Sequence, residues 1–225
     1  RKVFVVTARP QVPLWLDASH PQVTLVHHDE VAPPLVCLPT FNSSAIEIGI
    51  VPFIPGLSDK FLYLNDDMFL GSPTDRSTWI NPDGKLKAFS HHSKLQYQQR
   101  LCDSSSAFHI QTFYASLVGS SGADVPDERP AHQAMVMHRP SLVRLLLLFR
   151  ALARETCLSQ TRTAHRFKPN FNIYAAVRLM LSEGVATACA MPPEDNVYID
   201  LSKRKLTTSE SQWLRPRAEK HTPLL

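Results

Sequence analysis

Two adjacent carboxylates directly follow an apolar run in the stretch KFLYLNDDMFLG, residues 60–71. The run has the composition of a buried strand, and it stops at Asn65, Asp66 and Asp67 before apolar residues resume. Asn and Asp are common turn formers, so the tripeptide alone is equally typical of a turn and of a site for a hard divalent cation. Apolar sequence on both sides predicts that these charges lie next to a core, where they need a cation or an arginine as partner.

A second group of polar residues, Asn42, Ser43 and Ser44, lies at the predicted start of a helix. Ser44 and Glu47 fit a capping box, with Asn42 or Ser43 as alternative caps, and the helix is expected to end before Pro52. Hydroxyl and backbone N–H groups at a helix start can bind a phosphate or a sugar. Capping alone is the competing interpretation, and both can hold together.

The elements around these residues indicate an α/β fold. Short β-branched runs at 3–7 and 23–28 and the run at 60–66 predict strands, and the helix near residue 44 lies between the last two. Strand–helix–strand order with short connections predicts a Rossmann-like, mostly parallel sheet with flanking helices.

The rest of the chain is predicted from local signals. The expected elements are a strand at 86–90, a helix at 104–118, a surface loop or lid at 120–130, a helix from Pro140 to about Glu155, a helix at 172–183 closed by Gly184, strands in VATACA and NVYIDLS, and a final short helix with Trp213.

Composition limits the class of partner. The 225 residues are 44% hydrophobic and 20% charged, which suits a folded α/β domain. A net charge of +4 suits an anionic partner such as a nucleotide, but the basic residues are scattered, so no nucleic acid is expected. The four cysteines lie far apart without a C-x-x-C pair, which favours a reducing compartment, with two disulfides as the alternative.

The stretch LPTFNSSAIEIGIVPFIPGLSDKFLYLNDDMFLG, residues 38–71, closely resembles the second conserved block of the Stealth family. Members are hexose-1-phosphoryltransferases of bacterial capsule synthesis, and their animal relative is the catalytic subunit of GlcNAc-1-phosphotransferase. The upstream stretch VFVVTARPQVPLWLDASHPQVTLVHHDE resembles the start of the same block, and RPAHQAMVMHRP and TRTAHRFKPNFNIYAA look like the third block. Several blocks in order are more specific than any isolated motif.

This resemblance implies transfer of a sugar 1-phosphate from a nucleotide diphosphate sugar to a hydroxyl of a polysaccharide or glycan acceptor, which forms a phosphodiester. Asp66 and Asp67 would hold Mg²⁺ or Mn²⁺ against the diphosphate, and Asn65 would orient a carboxylate or coordinate through its amide oxygen. His132 matches the third-block histidine, as general base or as stabiliser of the transferring phosphoryl group. Arg166 matches a family arginine that suits phosphate oxygens.

His132 and Arg166 each have a competing interpretation. A lone histidine in a loop is otherwise a surface or capping residue, and an arginine is more often an exposed ion-pair partner.

The chain departs from the family pattern in its first block, whose YTWVDG-like residues are not found. We therefore expect a single, N-terminally incomplete catalytic-type domain over 1–225. In it the second block covers about residues 3–71, the third about 130–180, and the tail at 185–225 matches poorly.

Two acidic positions of the family are also altered or ambiguous. Members often carry Asp-Gly after the first strand, where this chain has TARPQ and no acid. In the fourth block, PEDNVYID offers several polar residues, of which Asp200, at a predicted strand end, is the favoured third carboxylate near the metal.

Two other functions fit the same residues. A metal-dependent glycosyltransferase also binds nucleotide diphosphates with acidic motifs at strand ends, and the missing first block suggests a non-catalytic remnant that binds a glycan or a partner subunit. Capsule relatives act at the bacterial cytoplasm and inner-membrane surface, whereas the animal relative acts in the Golgi lumen. Low cysteine density and the lack of spacer domains favour the bacterial case, cytoplasmic or peripherally associated with a membrane-bound polysaccharide assembly.

Overall fold

The computed structural model describes residues 2–71, 73–94, 128–161 and 172–190. The strands in these ranges are β1 Val3–Thr7, β2 Val23–His27, β3 Lys60–Tyr63, β4 Leu86–Lys94, β5 Glu128–Pro130, β6 Met135–His138 and β7 Ala186–Ala190. The helices are α1 His28–Val31, α2 Ser43–Gly49, α3 Arg76–Trp79, α4 Arg139–Leu148, α5 Arg150–Leu158 and α6 Ile173–Ser182, and a 3₁₀ turn at Val51–Phe53 follows α2. The predicted helix at 104–118, the strand in NVYIDLS and the helix with Trp213 lie outside the described residues.

The fold is mixed α/β, as predicted, but its ladders run in both directions. β1 pairs with β2 in parallel, which confirms the prediction for the first two strands, and β4 pairs with β7 in parallel. β3 is antiparallel to β6, and β4 is antiparallel to β5. Among the described strands two ladders are parallel and two are antiparallel, so a mostly parallel, Rossmann-like sheet is not confirmed.

The structure changes the predicted bounds of two further segments, which contain β4 and β5. The strand expected at 86–90 is present and continues to Lys94. The last three residues of the loop predicted at 120–130 form β5, which pairs with the far end of β4.

The strand predicted to be buried through residue 66 is shorter and only half covered. β3 ends at Tyr63, and side-chain cover alternates along it, with Leu62 and Leu64 36% and 37% exposed. The chain then turns, and Met68 N donates to Asn65 O at 3.1 Å. The prediction of a fully buried strand is wrong because only one face of this short ladder packs on the core.

Helix α2 begins with Asn42, one of the two alternative caps that the sequence offered. Asn42 is the N-cap: its Oδ1 accepts from Ser44 N at 3.2 Å, and its Nδ2 donates to Thr156 O at 3.1 Å. Ser44 lies inside the helix, so the predicted capping box of Ser44 with Glu47 is wrong. The helix ends at Gly49, before Pro52 as predicted.

Helix α6 is the centre of the main core. Every residue from Ile173 to Met180 is buried, and the helix packs with α4, β6 and β7 in one apolar cluster. Asn172 caps its start by accepting from Tyr174 N at 3.1 Å. Gly184 follows its end at a φ of 67°, a left-handed conformation that favours glycine, as the sequence predicted.

The helix predicted from Pro140 to about Glu155 is divided into α4 and α5. Phe149, between them, has φ −115° and ψ 46°, which is outside the helical region, and its ring packs against the main core. No glycine or proline marks this position, so the sequence carries no local signal for the break. After the break, α5 packs against α2.

Helices and cysteines add two further observations. In the part of the chain that the structure describes, each helix is too short or too polar to cross a bilayer. Cys37, Cys157 and Cys189 are free thiols, and burial raises the pKa of Cys157 to about 11. Cys102 lies outside the described residues.

The contact of α2 with α5 leaves no room for a side chain at Gly49. A Cβ there would lie 2.8 Å from Cys157 Sγ and 2.9 Å from Val36 Cγ2. We expect Gly49→Ala to lower the free energy of unfolding by about 1 kcal/mol, because overpacking outweighs the gain in helix propensity. Urea unfolding measures this change.

The double variant Gly49→Ala, Cys157→Ala is the control. Its loss should be smaller than the sum of the two single losses, because the sulfur that meets the new methyl group is gone. A stabilised Gly49→Ala variant would contradict the close approach.

A second stability test uses Asn42, because its side chain is 0% exposed and both its amide oxygen and its amide nitrogen form hydrogen bonds. Replacing it with alanine removes the cap and leaves a buried carbonyl of Thr156 without that donor. We expect Asn42→Ala to lower the free energy of unfolding by about 2 kcal/mol. Ser43→Ala, at a partly exposed neighbouring position, should change it by less than about 0.5 kcal/mol; equal losses in the two variants would count against the cap.

Candidate active site

The ladder of β3 and β6 brings His132 close to the turn formed by Asn65, Asp66 and Asp67, called the acidic turn below. Tyr63 lies opposite Met135 in this antiparallel ladder. Continuing the same register beyond the last pair sets Asp66 opposite His132. The side chains meet one residue further along, where His132 Nε2 lies 3.1 Å from Asp67 Oδ2. Two residues that the sequence singled out separately are therefore in direct contact.

The pair is open to solvent. The side chains of Asp67 and His132 are 61% and 31% exposed, and Asp66 is exposed beside them. A hydrogen-bonded contact this accessible contributes at most about 1 kcal/mol to stability, so its main effect is to orient the imidazole. When Nε2 donates its hydrogen to Asp67, the lone pair of Nδ1 can accept a proton.

The sequence predicted a cation at the acidic turn because its carboxylates were expected to be buried, and the structure does not support that reason. Asp66 and Asp67 were expected beside a core, but both are exposed and stay hydrated, so burial of charge does not require a metal there. The prediction was wrong because the chain leaves the ladder at Leu64 and turns outward.

The oxygen donors of the turn still fit a hard cation. The carboxylates of Asp66 and Asp67 and the amide oxygen of Asn65 are ligand types that Mg²⁺ and Mn²⁺ prefer. Within the described ranges, no group of three His, Cys, Asp or Glu side chains could hold a metal ion by itself. Substrate phosphate and water would therefore have to supply further ligands.

A buried carboxylate lies behind the turn. Glu47 is 5% exposed, and its Oε2 accepts from Ile173 N at 3.2 Å, at the start of α6. Its Oε1 lies 3.3 Å from the hydroxyl of Tyr63, which also contacts Asn65 Oδ1. Burial, and then the charge of Glu47, raises the pKa of Tyr63, so the phenol stays protonated.

Sequence reasoning missed the roles of Glu47 and Tyr63. Glu47 was assigned only to a cap, and Tyr63 had no role. The available signal was the placement of Glu47 between two isoleucines, Ile46 and Ile48, in a short and otherwise uncharged helix. A carboxylate on the inner side of such a helix needs buried donors.

The residues at the start of α2 are largely occupied by structural bonds. Asn42 and Ser44 are both 0% exposed, and Ser43 is partly covered. Capping by Asn42 is observed, whereas contact of these three residues with a substrate stays a prediction. Arg166 and Asp200 lie outside the described residues, and their roles stay predictions.

The carboxyl ends of β1 and β2 are joined by Arg9, from the TARPQ stretch. Its guanidinium lies 3.0 Å from Asp29 Oδ2 and 2.6 Å from Glu30 Oε1. Arg9 holds the pKa of Asp29 below its usual range, and the backbone N–H of His27, followed by Arg9, does the same for Glu30. At this edge one guanidinium therefore binds two carboxylates, so the charges of the cluster are only partly compensated.

Known proteins resemble part of this chain. Residues 1–88 match Stealth protein conserved region 2. The chain is 45% identical over 95 residues to an exopolysaccharide phosphotransferase of Streptomyces coelicolor. This match covers 42% of this chain and 16% of that protein. It is 43% identical over 95 residues to exopolysaccharide phosphotransferase CpsY of Mycobacterium tuberculosis, which covers 42% and 17%.

A mammalian protein is similar over a segment of comparable length. The chain is 46% identical over 96 residues to the human N-acetylglucosamine-1-phosphotransferase subunits alpha/beta, which covers 43% of this chain and 7% of that protein. The matched segment thus spans at most 17% of the length of these three relatives. Residues 1–88, which match the family model, contain Glu47, Asp66 and Asp67, and His132 lies beyond them. Over residues 1–88 the chain is therefore similar to conserved region 2 of the Stealth proteins.

Proposed function

We propose that this chain takes part in transferring a hexose 1-phosphate from a nucleotide diphosphate sugar to a hydroxyl of a polysaccharide or glycan. The names of its relatives support phosphotransfer in general. The observation that carries the proposal is the 3.1 Å contact between His132 Nε2 and Asp67 Oδ2. The contact connects Asp67, which lies in the segment that matches the family model, with His132, which lies outside it. Together they form a base with its orienting carboxylate.

The reaction is a displacement at phosphorus. The acceptor oxygen attacks the phosphorus that carries the sugar, and a new P–O bond forms while the bond to the bridging oxygen breaks. The nucleoside monophosphate leaves with that electron pair, and the acceptor proton moves to Nδ1 of His132. Asp67 then accepts a hydrogen bond from the imidazolium. General-base assistance of this kind accelerates a reaction about 10²–10⁴-fold.

Asp66 and Asp67, with Asn65, would hold Mg²⁺ or Mn²⁺. A cation held there would supply positive charge to neutralise the diphosphate oxygens. Asp67 has two carboxylate oxygens, so one can face His132 while the other faces the cation. Arg166 as a phosphate partner and Asp200 as a third carboxylate belong to the same proposal.

The setting of the reaction is also part of the proposal. A Rossmann-like arrangement is supported by the parallel pair of β1 and β2. Action at a membrane-bound polysaccharide assembly, with the chain attached peripherally, is supported only by the names of the exopolysaccharide relatives.

Removing the base or its carboxylate should abolish most of the transfer. We expect His132→Gln and Asp67→Asn each to lower the rate of phosphodiester formation about 10²–10⁴-fold, because proton transfer and ring orientation are lost. Phosphorus NMR of the product from a nucleotide sugar and a glycan acceptor measures the rate. Asp83→Asn, at an exposed turn before β4, is the matched control and should leave it unchanged. A product without a phosphodiester would instead identify a glycosyltransferase.

Binding of the donor should depend on the metal. We expect calorimetric titration with a nucleotide sugar to show binding in Mn²⁺ that is lost in EDTA, because carboxylates and diphosphate repel each other without a cation. Asp66→Ala should weaken this binding at least about tenfold. Wild-type protein that binds no nucleotide sugar with or without Mn²⁺ would favour the non-catalytic remnant.

A further inference from the structure

A series of hydrogen bonds connects the start of α6 to the acidic turn. Ile173 N donates to Glu47 Oε2 at 3.2 Å, and Glu47 Oε1 lies 3.3 Å from the Tyr63 hydroxyl. The same hydroxyl contacts the side chain of Asn65, the first residue of the turn. The series therefore runs from a buried helix start, through a buried carboxylate, to the residue that precedes Asp66.

The hydroxyl of Tyr63 has one hydrogen and faces two acceptor oxygens, Glu47 Oε1 and Asn65 Oδ1. It can donate to only one of them at a time. A half-turn of the Asn65 amide lets its NH₂ group donate to the phenol oxygen while the phenol donates to Glu47. All three groups are then satisfied, and Asn65 Oδ1 points away from Tyr63 and can accept from a ligand or bind a cation.

We propose that Tyr63 is a positioning residue for the turn Asn65–Asp67. Its hydroxyl, held by Glu47, fixes the orientation of the Asn65 side chain and hence the placement of the two carboxylates that follow. This inference rests on the proposed function of the turn as a cation and phosphate site. Tyr63 acts on that site through Asn65.

The rest of the Tyr63 side chain has a separate task, which makes the hydroxyl testable alone. The ring is partly buried and packs against two apolar clusters, one around α6 and one around Val26, Val51 and Ile54. Phenylalanine fills the same volume, so Tyr63→Phe removes the hydrogen bonds and keeps the packing. The raised pKa of the phenol is consistent with a permanent neutral donor.

Hydrogen exchange of the turn tests the proposal without any substrate. Met68 N donates to Asn65 O at 3.1 Å, so the Met68 amide reports on closure of the turn. We expect Tyr63→Phe to speed exchange of this amide about 3–10-fold, the effect of losing one net hydrogen bond in a local opening. The Gly184 amide, in a turn after α6, is the internal control and should not change. Unchanged exchange at Met68 would overturn the proposal.

Binding of Mn²⁺ alone, followed by electron paramagnetic resonance, separates positioning from a general structural effect. We expect Tyr63→Phe to weaken Mn²⁺ binding about tenfold, and to have no further effect in an Asn65→Ala background, because the hydroxyl acts through Asn65. Tyr174→Phe, which removes a hydroxyl from a buried tyrosine of α6, should bind Mn²⁺ like the wild type. Equal losses in both backgrounds would overturn the proposal.

The two measurements also distinguish this proposal from the proposed function. Wild-type protein that binds no Mn²⁺ would remove the cation from the proposed function, and exchange at Met68 would then decide the role of Tyr63. Tight Mn²⁺ binding in both the wild type and Tyr63→Phe would leave the cation site in place and refute the positioning role.

Discussion

The buried carboxylate of Glu47 is the interaction on which the arrangement of the site depends. A charge with 5% exposure is costly unless donors surround it, and here Ile173 N and the Tyr63 hydroxyl face its two oxygens. The amino end of α6 also favours a negative charge through its helix dipole. These conditions are met only where α2, β3 and α6 come together, so satisfying Glu47 fixes how the three elements are placed. The acidic turn continues directly from β3 and inherits that placement.

The second constraint is the antiparallel ladder of β3 and β6, which sets His132 against the turn. The 3.1 Å contact joins residues 65 positions apart, and because it is exposed it stabilises the fold very little. The core behind it, formed by α6 and β6, holds the two side chains in place instead. A pair that contributes little to stability can exchange its partner for a ligand at small cost, which is what the proposed function requires.

Local features of the fold could be predicted from the sequence, and features that depend on distant partners could not. β1, β2 and the end of α6 at Gly184 follow from short-range patterns, and they were predicted correctly. The choice of Asn42 over Ser44 as cap depends on the Thr156 carbonyl, far along the chain. The break at Phe149 and the pairing of β3 with β6 are likewise set by packing. For the site, resemblance to a family pointed to the turn and to His132, but their contact depends on strand register, which no local pattern encodes.

Acids of the same chemical type have opposite tasks at this site, and their surroundings separate them. Glu47 has both oxygens facing fixed protein donors, so it cannot change partners without opening the core. Asp66 and Asp67 are exposed on a two-residue turn, and the ordered partner of Asp67 is an imidazole that can gain or lose a proton. Burial thus makes Glu47 part of the scaffold, whereas exposure leaves the turn carboxylates able to take up a cation or release it. The hydroxyl of Tyr63 lies between the buried acid and the exposed acids. It contacts Glu47 on one side and, on the other, Asn65, which directly precedes the two exposed carboxylates.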